Sequence, residues 1–207
     1  MSEKKSKGQA LYDELAYEKK NYFEVASKSE RKKMFAYAEG YKAFLDDAKT
    51  EREACAAAVK MAEENGFTEY HFGDALAAGD KKYFVNRGKS VVVFRVGSKD
   101  LEKHGMRIIA SHIDAPRIDV KQNPLYEEAG MCFLKTHYYG GIKKYQWTAI
   151  PLALHGVVVL KDGTKVELRV GEDPKDPVFY IDDLLPHLGQ EQMAGNAGKI
   201  IEGEQLN

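Results

Sequence analysis

Apolar residues between positions 29 and 48 recur at three- and four-residue spacing, which is the pattern of a helix with one apolar face. The face consists of Met34, Ala38, Tyr41, Leu45 and Ala48. Ser29 is the predicted N-cap, although the acidic residue that completes a capping box is missing three positions later. An earlier stretch, Ala10 to Phe23, mixes apolar and charged residues less regularly and predicts a first helical region.

A further helix is predicted after Thr50. The segment from Glu51 to Asn65 is rich in alanine and glutamate. Thr50 can cap the first turn, and the carboxylates of Glu51 and Glu53 suit the positive end of the helix dipole. Asn65 followed by Gly66 suits the left-handed turn that ends many helices.

The pattern then becomes β-prone. Lys82–Asn86 and Ser90–Val96 flank a short turn that contains Gly88, which predicts a β-hairpin. The run from Met106 to Ile113 is continuously apolar and predicts a buried strand in a sheet covered on both faces. Helices followed by such strands predict a layered α/β domain.

The second half of the chain predicts a mainly β unit. Strand-like runs at Ala153–Leu160 and Lys165–Val170 flank Asp162-Gly163, a hairpin turn signal. Ile181–Leu188 predicts a short helix. We place the boundary between the two units at residues 119 and 120, which gives domains 1–119 and 120–207.

The end of the chain predicts no closing element. Residues 194–207 are polar and contain glycine, and Ile200-Ile201 is the single apolar pair. A segment of this kind predicts neither a helix nor a strand that completes a domain, so we expect the sequence to be the N-terminal part of a longer protein.

Composition narrows the class of protein. The 31 basic and 32 acidic side chains give a net charge of −1, which argues against a dedicated nucleic-acid binder. No run approaches the roughly 20 apolar residues of a membrane span, so we expect no membrane partner. Cys55 and Cys132 fit no metal or disulfide spacing and are expected to be reduced. Together with a polar start that lacks a signal peptide, they predict a cytoplasmic protein.

The clearest chemical signal is SHIDAP at residues 111–116. It follows a predicted strand, at the end where α/β sheets place their ligands. Because strand side chains alternate, His112 and Asp114 are expected on the same side. A neutral imidazole binds zinc well, and a nearby carboxylate can fix its tautomer. Taken alone, this short motif is more typical of a hydrogen-bonded structural histidine than of a metal ligand.

Further motifs follow in a fixed order. They read SHIDAPR at 111–117, KTHYYGG at 135–141, LALHGVV at 152–158 and DDLLPHL at 182–188. This series resembles the aspartyl aminopeptidase and aminopeptidase I family of zinc exopeptidases, especially its bacterial branch, from about Met34 onward. The resemblance implies the N-terminal part of a layered α/β zinc-exopeptidase domain followed by a mainly β dimerisation domain.

The resemblance also implies roles for particular residues. His112 corresponds to the first metal-binding histidine of the family, and Asp114 to the catalytic aspartate that orients it. The dimerisation domain would begin near Val120. His187 corresponds to a histidine that reaches a neighbouring subunit's active site and stabilises the tetrahedral intermediate. The alternative for His187 is a solvated residue at a helix end.

The family resemblance implies a two-metal zinc site, peptide substrates and a homo-oligomer built from dimers, up to a dodecamer. Cobalt or manganese suits the same ligand types. The family's other ligands and its general base lie beyond residue 207, so we expect this chain alone to be inactive. Asp47–Ala57 and Lys143–Thr148 depart from the family's eukaryotic members, so no substrate contact is assigned there.

Two alternatives stay open. The chain could be a non-catalytic oligomerisation or interaction module derived from such an enzyme, or an unrelated metal-binding protein that uses only His112 and Asp114. The remaining histidines are expected to be structural or on the surface, and they are His71, His104, His137 and His155.

Overall fold

The computed structural model describes residues 6–17 and 19–207. Its described residues divide into two units, the first ending at Asp46 and the second running from Asp47 to Asn207. Helices dominate the first unit, and the second combines helices with three small sheets.

The first unit contains two short helices and most of a long one. Helix α1 spans Lys7–Leu15, where Ser6 accepts a hydrogen bond from the Gln9 N–H, and α2 spans Tyr22–Val25. The predicted helical region from Ala10 to Phe23 is therefore two separate helices. Part of that region, residue 18, lies outside the described residues, as do residues 1–5 of the polar start.

Helix α3 spans Lys28–Asp47 and confirms the helix predicted from the apolar spacing. Its cap is Ser27 rather than Ser29. The Ser27 hydroxyl accepts a hydrogen bond from the Glu30 N–H, and the Glu30 carboxylate accepts one from the Ser27 N–H. This reciprocal pair is a capping box. The capping box therefore begins two residues earlier than predicted, with Glu30 three positions after Ser27.

Helix α4 spans Glu51–Glu64, as the sequence predicts. The Thr50 hydroxyl accepts a hydrogen bond from the Glu53 N–H at 3.3 Å, which confirms the predicted cap. The helix ends at Asn65, and Gly66 has a φ of 79°, a left-handed conformation that favours glycine.

The predicted hairpin is confirmed and belongs to a three-stranded sheet. Strand β2 (Lys81–Asn86) pairs antiparallel with β3 (Ser90–Arg95), and a short parallel strand β1 (Thr68–Glu69) lies on the other side of β2. Arg87 and Gly88 both have positive φ, the geometry of a tight turn matched to the twist of the strands.

The predicted buried strand from Met106 to Ile113 is wrong. A short helix α5 (Leu101–His104) precedes it, and residues 105–116 have no regular secondary structure. Ile108 is 74% exposed and Ile109 fully exposed. A strand needs a neighbour to bind its N–H and C=O groups, and within the described residues no strand pairs with this segment.

A long hairpin begins directly after this segment. Strand β4 (Arg117–Glu128) pairs antiparallel with β5 (Met131–Tyr139) across a turn at Ala129-Gly130, where both residues have positive φ. The register shifts between Val120 and Leu125. The first residue of β4 faces the last residue of β5, which brings Arg117 beside Tyr139.

A second hairpin confirms the predicted strands around Asp162-Gly163. Strand β6 spans Leu154–Val159 and β7 spans Lys165–Val170. The predicted helix at Ile181–Leu188 is wrong. Ile181 forms an isolated bridge with Thr148, and a turn at residues 186–188 follows an irregular stretch. Pro186 cannot supply an N–H to a helix, and Asp183 instead accepts from the Leu184 N–H.

The core of the second unit includes the end of the chain. Ile181, Ile201 and Leu206 are buried together, and Leu206 is fully inaccessible. Short helices, α6 (Gln190–Met193) and a 3-10 turn at Gly203–Gln205, lead into this region. The side chain of Thr136 in β5 donates to the Leu206 carbonyl. As predicted, residues 194–207 contain no α-helix and no strand. The sequence did not predict that Ile201 and Leu206 anchor this tail in the core.

Two sequence predictions concern the architecture as a whole. None of the helices in the described parts of the chain combines the length and apolar character of a bilayer-spanning segment. The domain boundary at residues 119 and 120 stays a prediction, and strand β4 runs across that position.

Candidate functional site

The irregular segment before β4 presents the predicted site residues. His112 Nδ1 lies 2.8 Å from Asp114 Oδ1, so the two side chains meet although the segment that carries them is not a strand. The His112 side chain is 85% exposed, whereas that of Asp114 is 33% exposed. The imidazole therefore uses one nitrogen to contact the carboxylate and turns its other edge to solvent.

Tyr139 holds the second oxygen of the same carboxylate. Its hydroxyl donates a hydrogen bond of 2.7 Å to Asp114 Oδ2. This bond, with the one from His112, lowers the pKa of Asp114 below its ordinary value. The pKa of Tyr139 is raised because its hydroxyl donates to the negatively charged carboxylate. The carboxylate therefore stays ionised where His112 needs an acceptor.

Arg117 lies behind Tyr139. Its guanidinium carbon is 4.2 Å from the centre of the Tyr139 ring. Arg117 Nε lies 2.7 Å from Asp119 Oδ1, and Nη1 lies 3.0 Å from Glu51 Oε1 in helix α4. Sequence reasoning assigned no role to Tyr139 or Arg117, although both lie inside the quoted motifs. The pairing of β4 with β5 brings these two residues together, and the sequence pattern alone does not give the register of that pairing.

His187 lies in an exposed turn away from regular secondary structure. Within the described residues no hydrogen bond or ion pair joins it to His112 or Asp114. Its apolar neighbours along the chain are also solvent-exposed, namely Leu184, Leu185 and Leu188. The structure therefore brings together two of the three predicted site residues and leaves the third on an apolar surface.

The metal-binding potential of these residues is partial. In residues 6–17 and 19–207, no group of three or more histidine, cysteine or acidic side chains is placed to hold a metal ion. His112 Nε2 is exposed, and the carboxylate holds Nδ1, which is how a ligating histidine is arranged in zinc sites. The residues present thus fit one position of a zinc coordination shell.

A second polar cluster joins α4 to the β6–β7 hairpin. His155 Nδ1 lies 2.9 Å from Glu53 Oε1, and His155 Nε2 lies 2.7 Å from Glu172 Oε1. Arg169 Nε lies 3.0 Å from the same Glu53 oxygen. The His155 and Glu53 side chains are only 11% and 13% exposed. Both nitrogens of His155 are engaged, so this histidine is structural, as the sequence predicts.

Electrostatics at Glu53 follow from these contacts. Burial by itself would raise the pKa of Glu53, but hydrogen bonds from His155 and Thr50 and the charge of Arg169 hold that pKa below its ordinary value.

The remaining predicted non-site histidines lie on the surface. The side chain of His71 is 73% exposed, and that of His137 stacks on Tyr138 with ring centres 5.6 Å apart.

Comparison with known proteins identifies the family. The profile described as Aminopeptidase I zinc metalloprotease (M18) matches residues 44–206. The chain belongs to this family. A relative from Clostridium acetobutylicum, named a probable M18 family aminopeptidase 1, is 47% identical over 199 residues, covering 94% of this chain and 43% of the relative. The resemblance seen in the ordered motifs is therefore confirmed.

Solved M18 structures share the fold. The crystal structure of the Thermotoga maritima M18 aminopeptidase matches with a TM-score of 0.82 at 41% identity, over 92% of this chain and 41% of that one. Aminopeptidase I from Clostridium acetobutylicum matches with a TM-score of 0.78 at 44% identity, over 92% and 42%. These matches confirm the predicted fold class. The chain spans about two fifths of the length of these M18 proteins.

Proposed function

We propose that the protein carrying this chain is a metal-dependent aminopeptidase that removes N-terminal residues from peptides. His112 is its first zinc ligand, and Asp114 is the catalytic residue that orients that ligand. The observation that supports this proposal is the contact of 2.8 Å between His112 Nδ1 and Asp114 Oδ1 beside an exposed Nε2. The names of the M18 relatives support the enzyme and not the alternative of a non-catalytic oligomerisation module.

The residues of this chain perform a defined part of the chemistry. Asp114 accepts a hydrogen bond from the Nδ1–H of His112, which leaves the Nε2 lone pair for coordination. When bound, zinc would supply Lewis-acid chemistry to the scissile carbonyl and the attacking water, and His112 would hold one of the two ions. The other ligands come from residues outside these 207, in keeping with the greater length of the M18 relatives. Cobalt or manganese could occupy the same ligand set.

His187 acts in the active site of a neighbouring subunit in this proposal. Its exposure and the exposed leucines around it suit a surface that another subunit covers. Residues 120–207 form the dimerisation domain, and the protein is a homo-oligomer. The solved mApe1 of S. cerevisiae is a dodecamer, and this chain resembles it in fold at 22% identity. The free thiols of Cys55 and Cys132 favour the cytoplasm.

Activity of the complete gene product tests the proposal. We expect release of N-terminal residues from peptides, loss of turnover with a chelator and recovery when zinc is restored. His112→Ala should lower kcat/KM by at least about 100-fold, since removing an outer-shell partner alone costs 10- to 100-fold.

His104→Ala is the matched control, because His104 is also an exposed histidine and also precedes β4 in the sequence. It should retain full activity. Peptidase activity that persists in the chelator, or in the His112→Ala variant, would contradict the proposal.

A further inference from the structure

One tyrosine hydroxyl completes the hydrogen bonding of Asp114. The two carboxylate oxygens have separate partners, His112 Nδ1 at 2.8 Å on Oδ1 and the Tyr139 hydroxyl at 2.7 Å on Oδ2. A carboxylate bound on both oxygens cannot rotate about its χ2 bond without breaking one of these bonds. The direction of Oδ1, and with it the direction of the imidazole, therefore depends on Tyr139.

The segment that bears the histidine has few other restraints. Residues 105–116 form no strand, and the His112 side chain is 85% exposed. In free histidine the proton prefers Nε2, which would direct the lone pair of Nδ1 rather than that of Nε2 to a metal. The hydrogen bond made by one ring nitrogen decides which tautomer is present. A fixed acceptor at Nδ1 is thus what keeps Nε2 available.

Tyr139 is itself restrained from two directions. It is the last residue of β5 and pairs with Arg117 across the hairpin, and the guanidinium of Arg117 lies 4.2 Å from its ring centre. Glu51 and Asp119 hold that guanidinium at 3.0 Å and 2.7 Å. Stacking of a guanidinium on an aromatic face is favourable, and two carboxylates limit how it can move.

Gly140, the residue after Tyr139, shows how near the backbone lies to Pro116. It has a φ of 80°, a conformation that favours glycine, and a Cβ placed on it would lie 3.5 Å from the Cα of Pro116. A Cβ at Gly140 would thus just reach van der Waals contact with Pro116, so the backbone next to Tyr139 lies near the segment that carries Asp114.

We infer that Tyr139 is a positioning residue for the metal ligand: its hydroxyl, supported by Arg117, fixes Asp114 so that His112 keeps its proton on Nδ1 and presents Nε2. The inference rests on the proposed role of His112. Tyr139 contacts neither metal nor substrate in this scheme, and its effect passes through the carboxylate. The same chain supplies every group involved, from Glu51 in α4 to the end of β5.

The tautomer of His112 tests the inference in this chain without any activity assay. We would record ¹⁵N NMR spectra of the histidine side chains at a fixed pH, above the ordinary histidine pKa of about 6.5. His112→Ala assigns the signal. The unchanged chain should show a proton on Nδ1, and Tyr139→Phe should shift the two nitrogens toward a mixture with the proton on Nε2.

Tyr138→Phe is the matched control. Tyr138 is the preceding aromatic residue of β5, and its ring lies against His137 rather than Asp114. Its substitution should leave the His112 signals unchanged. An unaltered Nδ1–H tautomer in a folded Tyr139→Phe variant would overturn the inference.

Arg117→Lys gives a second test if Tyr139→Phe does not fold. Lysine keeps the charge but loses the planar stack and the forked hydrogen bonds, so the His112 tautomer should shift in the same direction. An unchanged tautomer there would also overturn the inference. Lack of peptidase activity in the unsubstituted gene product would refute the proposed function and leave the tautomer result intact, so the two failures are distinguishable.

Discussion

At the scale of single residues, the site depends on how one carboxylate is shared. Asp114 accepts from His112 on one oxygen and from Tyr139 on the other. Both bonds favour its ionised form and lower its pKa. An ionised acceptor holds the imidazole more tightly than a neutral one because the hydrogen bond is charge-assisted.

Asp114→Asn tests this role at constant side-chain size. The amide keeps an oxygen but loses the charge, and its NH2 group can turn toward His112. We expect the zinc affinity of the gene product to fall about 10- to 100-fold, with kcat/KM falling in parallel. Competition with a chromophoric chelator measures the affinity, and Asp100→Asn, an exposed control before α5, should leave it unchanged.

At the scale of elements, the N-terminus of α4 links two parts of the second unit. Glu51 binds Arg117 at the start of β4, and two residues later Glu53 binds His155 and Arg169 in the β6–β7 hairpin. These contacts join elements that lie far apart in the sequence. The helix end thus positions the hairpin that carries Tyr139.

The Glu53 cluster should stabilise the fold in a pH-dependent way. We expect Glu53→Gln to lower the free energy of unfolding by about 2 kcal/mol near pH 7, because the nearly buried His155 loses a charged acceptor. The folded-state pKa of Glu53 is lowered, so its contribution is complete above the unfolded value of about 4.3 and is lost as pH falls through the folded value.

Urea unfolding at several pH values measures this difference. The gap between the unchanged chain and Glu53→Gln should narrow steadily below about pH 4. Glu64→Gln, at the exposed end of the same helix, should stay within about 0.5 kcal/mol of the unchanged chain throughout. A gap that widens toward acid would contradict this account.

The tail makes a second contribution at this scale. Leu206 is fully buried beside Ile181 and Ile201. Leu206→Ala should lower the free energy of unfolding by about 2–5 kcal/mol, the usual cost of truncating a core leucine. Leu101→Ala, at a site that is 57% exposed, is the control and should change it by less than about 0.5 kcal/mol. Equal unfolding midpoints for both variants would show that the tail is not part of the core.

Local signals predicted the elements that local interactions determine. Thr50 and Asn65-Gly66 mark the two ends of helix α4, and turn residues mark the reversal of the chain in both predicted hairpins. Met106–Ile113 was wrongly predicted because a strand depends on a neighbour, which a hydrophobic pattern does not reveal. Leu206 was missed because one buried leucine in a polar tail has no periodicity.

The candidate site also contains contacts of both kinds, local and long-range. His112 and Asp114 are two positions apart, so the sequence placed them near each other, although the strand on which that expectation depended is absent. Tyr139 lies 25 positions after Asp114, and Arg117 reaches it only through strand pairing. Such contacts depend on the register of β4 and β5, which the sequence pattern left undefined.

At the scale of the whole molecule, this chain spans about two fifths of its M18 relatives, and in the proposed function it supplies one zinc ligand, His112. His187 lies in an exposed turn, apart from His112. In the proposed oligomer it serves a neighbouring subunit, so each complete active site would combine residues of two chains.

Mixing inactive variants of the gene product tests that arrangement. His187→Ala should lower kcat by about 100- to 1,000-fold, as for loss of a transition-state hydrogen-bond donor, with zinc content unchanged. An oligomer formed by co-expressing His112→Ala with His187→Ala contains some sites with both histidines. We expect it to regain peptidase activity, whereas a histidine acting within its own subunit would give no recovery.

The most direct test of the account is the zinc affinity of the gene product with and without the His112 imidazole. Chelator competition should show a loss of at least about 100-fold for His112→Ala and none for His104→Ala. The same affinity in the His112→Ala variant and the unchanged protein would show that His112 binds no metal and would contradict the account.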